Sequence, residues 1–145
     1  MRALLAALAL LGMGCTPAAD ALALPEADAE EFASRVQPRL GLHCGYVGCH
    51  GDPGRPYAVY TRSAWRADPD DVIADPPLTD AELTHNFDMT RALLFGAAEP
   101  LDSTFLSRPL ARAAGGSAHG GGVQFTTPEE ADYRVLLRWV EDALP

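Results

Sequence analysis

The sequence predicts an all-α domain in which three amphipathic helices are separated by long loops. Three observations predict it. Apolar residues recur at three- and four-residue spacing in three separate windows. Two of these windows open with a Thr followed three residues later by a Glu, Thr79 with Glu82 and Thr127 with Glu130, the spacing of a capping box. No alternating apolar–polar run is long enough for a confident strand.

The first helix is expected from about Glu26 to Arg35, reaching toward Leu40. Glu26, Asp28, Glu30 and Glu31 crowd its first turn, as the helix dipole favours, and Phe32, Val36 and Leu40 form its apolar stripe. Pro38 is expected to bend or end it. The second begins at Thr79, carries Leu83, Phe87, Leu94 and Phe95, and stops at Gly96. The third begins at Thr127 with Pro128 in the first helical position, where a missing N–H costs nothing. Tyr133, Leu136, Leu137, Val140 and Leu144 follow the helical rule through it. Between the helices lie Gly51 to Pro56, the Asp/Pro-rich Asp68 to Pro77 and the glycine-rich Gly115 to Gly122. Loops of this length in a small domain point to a non-protein group filling the middle.

The chain has 145 residues, a formal charge of −9, four His and three Cys. That is one domain. The acidic balance argues against nucleic acid and an anionic membrane surface as main partners, and suits the steering of a basic redox partner. All 11 basic residues are Arg, so lysine-centred catalysis and a lysine-dependent phosphate loop are excluded. No GxSxG, HExxH or GxGxxG string occurs. Asp68, Asp70, Asp71 and Asp75 match no EF-hand spacing and read as a solvated acidic loop.

Met1-Arg2 followed by the apolar run Ala3 to Met13 reads as a secretory leader, too short to span a membrane. Gly14-Cys15 resembles the bacterial lipoprotein signal. That resemblance implies a signal peptide over 1–14, acylation of Cys15 and a tether over 15–24 before a domain at 25–145. Ordinary secretion with cleavage near Ala18 or Ala19, and a buried N-terminal helix, are the alternatives. Export places the remaining Cys pair in an oxidising compartment.

That pair stands in Cys44-Gly45-Tyr46-Val47-Gly48-Cys49-His50. A Cys-spacer-Cys-His string is the arrangement of covalent c-type haem attachment, in which each sulfur adds to one vinyl group and the following imidazole is carried under the iron. Cys44 and Cys49 are thus the expected thioether residues and His50 the expected proximal axial ligand. The spacer has four residues where two are common; Gly45 and Gly48 are expected to let the extra residues bulge. A Cys44–Cys49 disulfide, and a zinc site using Cys44, Cys49, His50 and another His, are the competing readings.

The segments His43-Cys44 to Cys49-His50-Gly51, Pro100 to Pro109, His119-Gly120-Gly121-Gly122-Val123-Gln124-Phe125 and Asp132 to Val140 together resemble a small c-type cytochrome domain of the planctomycete and myxobacterial type. The resemblance covers Leu40 to Leu144. It implies a class I cytochrome c-like fold, with N- and C-terminal helices crossing and one haem c wedged between loops.

For the distal axial ligand the candidates are His119, in its glycine-flanked loop, with Met89 as the alternative, then His85 and His43. His85 is expected to face solvent and His43 to lie at the surface or beside a propionate. Arg55, Arg62 and Arg108 suit propionate contact. A His50/His119 pair implies a potential below that of a His/Met cytochrome and leaves no open iron position. The expected function is therefore an exported, non-enzymatic electron carrier with redox proteins as partners and no small-molecule substrate. The alternatives are a haem-free, disulfide-stapled lipoprotein serving as an interaction module, and a haem sensor or weak peroxidase.

Overall fold

The computed structural model describes residues 24–145. The expected leader and Cys15 lie outside the described residues. Within them the chain is all-α and has no strand; an isolated parallel bridge joins Leu110 to Phe125.

Helix α1 runs over residues 29–44, as contiguous segments Ala29–Glu31, Phe32–Val36, Gln37–Arg39 and Leu40–Cys44. It starts at its N-cap Asp28, whose side chain accepts from the Glu31 N–H at 2.8 Å. Pro38 does not end it. The turns before and after the proline are π turns, in which each N–H reaches back five residues rather than four. The wider turn also explains the apolar stripe. A strict four-residue repeat drifts around an ideal α-helix, which has about 3.6 residues per turn. Alternating α and π turns bring the average close to four, so Phe32, Val36 and Leu40 all stay inward, at most 1% exposed. Cys44 is the next position of the same stripe, and it packs against the core.

After the loop that holds Cys49 and His50 come a short helix α2 (Asp71–Ala74) and helix α3 (Asp80–Ala92). Thr79 caps α3 in a full capping box with Glu82, as expected. The helix stops at Ala92, four residues before Gly96, which takes a positive φ of 73° in the turn that follows. Its buried positions are Glu82, Asn86 and Thr90, so the expected apolar face gives way to a polar one. Leu83 and Phe87 flank that face half-buried.

Helix α4 (Thr104–Ser107) lies between two 3₁₀ turns, Pro100–Asp102 and Arg112–Ala114. The last helix, α5, spans Ala131–Ala143. It begins later than expected because Thr127 does not cap it. Instead the Glu130 carboxylate turns back and accepts from the Thr126 N–H and Oγ1 and from the Thr127 N–H, fastening the preceding loop. The donated hydrogen bonds hold Glu130 below the usual carboxylate range. Tyr133, Leu136, Trp139, Val140 and Ala143 are its buried residues, with Leu137 and Leu144 half-buried beside them.

The core forms where α1 and α5 meet. Trp139 packs on Phe32 at 5.4 Å between ring centres, on Phe105 at 6.0 Å and on Phe87 at 6.3 Å. A second, polar anchor lies under α2. Arg66 and Glu82, with side chains 0% and 1% exposed, form a bidentate ion pair at 2.9 and 3.0 Å. Arg66 also donates to the carbonyls of Pro76 and Pro77, and Glu82 accepts from the Ala67 and Thr79 N–H groups. Every polar atom of this pair has a partner, which makes a buried ion pair tolerable. The Asp-rich loop is thereby organised: Asp71 approaches Arg66, and Asp75 pairs with Arg62 at 2.7 Å.

Candidate haem cavity

The end of α1 opens onto a cavity of about 650 Å³. This lies within the range of small-molecule and cofactor sites, about 300–1,000 Å³. Cys44, Cys49, His50 and His119 all line it, so the structure brings together residues that are 75 positions apart at the extremes. Phe105, Leu136, Leu93 and Pro109 form an apolar wall continuous with the core.

The four-residue spacer folds as a turn. The Cys49 N–H donates to the Tyr46 carbonyl at 2.8 Å, and the His50 N–H to the Cys44 carbonyl at 3.0 Å. Tyr46 and Val47 point outward, 54% and 66% exposed. Neither Gly45 nor Gly48 takes a positive φ. Gly45 is instead a matter of space: a Cβ there would collide with the Thr61 side chain, whose hydroxyl donates to the Gly45 carbonyl at 2.8 Å. Cys44 and Cys49 form no disulfide. Burial, with the neighbouring Cys49 charge, pushes the Cys44 thiol up to about 12.

His50 is held at both ends. Its Nδ1 donates to the Tyr57 carbonyl at 2.7 Å, and its backbone carbonyl accepts from the Val59 N–H at 2.7 Å. Tyr57 also sets its ring edge against the imidazole at 4.8 Å between centres. Burial lowers the His50 pKa against the opposing pull of the Tyr57 carbonyl, and the charges of His119 and Arg55 add to the lowering. The ring is therefore neutral near pH 7, the form that ligates metals, with Nδ1 committed and Nε2 left for a ligand.

His119 mirrors it. Its Nδ1 donates to the Gly122 carbonyl at 2.9 Å. Gly122 has φ +80°, a backbone region that favours glycine, and this turn brings its carbonyl back to the imidazole. Arg108 donates to the Ala118 carbonyl at 2.6 Å and ties down the loop that carries the histidine. The imidazole planes of His50 and His119 lie within 13° of parallel, with ring centres 5.9 Å apart. That separation exceeds face-to-face contact. Two imidazoles that bind opposite sides of one metal ion through Nε2, with bonds of about 2 Å, have ring centres roughly 6 Å apart. The separation leaves room for an ion between the two rings, and the cavity has the volume of a cofactor site.

The other expected residues fall into place differently. Met89, half-buried on α3, does not line the cavity. His43 lines it, but its Nε2 is bound to Asp132 Oδ2 at 2.8 Å and its ring packs on Phe125. The Asp132 carboxyl is held down by that bond, against burial, with help from Arg39 at 3.1 Å. His85 does not face solvent: it sits half-buried edge-on to Tyr60 and Trp65 and bonds the Ala58 carbonyl at 3.2 Å. Arg55 and Arg108 stand at the cavity, whereas Arg62 pairs with Asp75 away from it. Among the described residues no three His, Cys, Asp or Glu side chains are grouped as a bare-ion site.

Three side chains at or near the cavity carry no sequence signal. Tyr57 is the wall residue whose carbonyl orients His50, and burial pushes its phenol well above the usual range. Thr90 bonds its hydroxyl at 2.9 Å, and Asn86 continues that line. Their polar stripe reads as solvent-facing until its partners are known. The chain matches no family model, no curated protein and no solved structure in the three comparisons made.

Proposed function

We propose that this chain is a c-type cytochrome: an exported electron carrier that holds one haem c through thioethers at Cys44 and Cys49, with His50 and His119 as axial ligands. The carrying observation is the near-parallel His50/His119 pair, each Nδ1 tied to a backbone carbonyl, across a cavity that also receives both cysteines. A haem bound there supplies one-electron exchange between two oxidation states.

The chain's own residues do four things. Cys44, at the end of α1, and Cys49, in the turn after it, would hold the group covalently. Tyr57 and Gly122 orient the two imidazoles and raise their basicity, which favours the oxidised state. Phe105, Leu136 and Leu93 exclude water from one side of the cavity. Arg55 and Arg108 offer guanidinium groups to the propionates. If His50 and His119 both hold the iron, it would offer no open position to a small molecule, which supports electron transfer between proteins over peroxidase chemistry. The lipid anchor at Cys15 and redox-protein partners belong to the same reading.

The test is a reduced-minus-oxidised visible spectrum of the protein produced together with a haem-maturation system. A six-coordinate, low-spin c-type spectrum is expected. Colourless protein with unmodified cysteines would overturn the proposal and leave the haem-free interaction module.

A further inference from the structure

The segment 57–61 holds His50 by two hydrogen bonds, and α3 holds that segment. Asn86, fully buried, pairs with Tyr60 as a neighbouring strand would: its Oδ1 accepts from the Tyr60 N–H at 2.7 Å, and its Nδ2 donates to the Tyr60 carbonyl at 2.8 Å. The same Nδ2 donates to Gln37 Oε1 at 2.9 Å, and Gln37 Nε2 donates to the Tyr60 carbonyl at 3.3 Å, linking the pair to α1. One turn along, Thr90 Oγ1 donates to the Asn86 carbonyl at 2.7 Å, so it must accept from the Tyr57 hydroxyl at 2.9 Å. Three residues after Tyr57 and at Tyr57 itself, the segment is therefore pinned by buried amides and hydroxyls. Between these pins lie the Tyr57 carbonyl, which accepts from His50 Nδ1, and the Val59 N–H, which donates to the His50 carbonyl.

We propose that Asn86, supported by Thr90, is a positioning residue for His50: it sets the register of segment 57–61 and through it the imidazole hydrogen bond that fixes the tautomer and basicity of the proximal ligand. The inference rests on the ligand role proposed for His50. A buried, fully paired amide has no alternative register to slip into, because slipping leaves both its donors and its acceptor without partners. Loss of the pair frees the Tyr57 carbonyl to move, weakens the bond at Nδ1 and makes the imidazole a poorer donor. The oxidised state is then less favoured and the reduction potential rises.

The experiment compares the mature protein with Asn86→Ala, Thr90→Val and, as a control at the other end of the same polar stripe, Glu82→Gln. One readout is the His50 ring tautomer and Nδ1 proton exchange by nitrogen-15 NMR; the other is the midpoint potential. Asn86→Ala is expected to speed Nδ1 proton exchange about tenfold or more and to shift the one-electron equilibrium at least about threefold toward reduction, tenfold being about 59 mV. Thr90→Val, which keeps the Asn86 pair, should shift both readouts less and in the same direction, and it serves if Asn86→Ala fails to fold. Glu82→Gln should lower stability and move neither. Unchanged tautomer, exchange and potential in the Asn86 and Thr90 variants would overturn the inference. If the wild-type protein carries no haem, the functional reading fails while the NMR readout still decides whether Asn86 positions His50.

Discussion

The Trp139 indole N–H donates to the Asp28 carbonyl at 2.9 Å, joining the last helix to the N-cap of the first across 111 residues of sequence. The same indole carries the aromatic cluster of Phe32, Phe87 and Phe105. Trp139→Phe keeps most of the apolar packing and leaves that carbonyl with the Phe32 N–H at 3.0 Å as its remaining donor. A loss of about 0.5–1.5 kcal/mol is expected, and Trp139→Ala should cost about 3–5 kcal/mol. Urea unfolding of both variants measures it, and an unchanged midpoint for Trp139→Phe would remove the hydrogen bond from the ledger.

Much of this frame is readable from residue pattern alone. The α5 stripe, the Phe32–Val36–Leu40 stripe and the Thr79 capping box announce themselves through periodicity and spacing. Pro38 misleads because the rule it obeys applies to α turns, and α1 widens into π turns around it. The inward face of α3 misleads for another reason. Glu82, Asn86 and Thr90 have the spacing of a solvated face, and only Arg66, Tyr60 and Tyr57, all outside that helix, reveal that they are buried. At the site, Cys44, Cys49 and His50 stand out as one seven-residue string and His119 by its glycine-flanked loop, and the structure brings all four to one cavity. The carbonyls of Tyr57 and Gly122 that bond the two rings leave no trace in side-chain identity.

The Arg66–Glu82 pair makes an acid prediction. Burial alone would raise the Glu82 carboxyl; the Arg66 guanidinium and the N–H groups of Ala67 and Thr79 outweigh it and bring it to about 2, from 4.5 in an unperturbed carboxyl. A group depressed on folding contributes stability that is complete above its unfolded value and is lost as the pH falls through its folded value. Stability should therefore decline from about pH 4.5 toward pH 2, and Glu82→Gln should flatten that decline while lowering stability at neutral pH. Parallel acid-unfolding curves for the two proteins would contradict this assignment.

Cys44 should be a sluggish nucleophile in haem-free protein. With its thiol near 12, the thiolate fraction at pH 8 is about a thousandfold below that of an unperturbed thiol. Iodoacetamide labelling followed by peptide mass analysis should show Cys44 modified far more slowly in native than in urea-unfolded chain. Equal rates would place Cys44 in solvent.

His119 should govern access to the distal position. His119→Ala should show a high-spin spectrum, and cyanide or carbon monoxide, excluded from the wild-type protein, should bind and return it to low spin. His119→Met should raise the potential, since a thioether favours the reduced state. In haem-free protein neither change should much alter thermal stability, because His119 lies on a surface loop outside the main core. A His119→Ala spectrum indistinguishable from wild type would transfer the distal role to another residue, and Met89→Leu would then be the next variant to examine.

The most direct measurement is acid–acetone extraction of the purified mature protein, followed by the mass of the peptide that contains Cys44, Cys49 and His50. Pigment that stays with the chain, and a peptide heavier by one haem with both thiols consumed, is the predicted result. Pigment that extracts into the organic phase, or a peptide of unmodified mass, would contradict covalent haem attachment at this site.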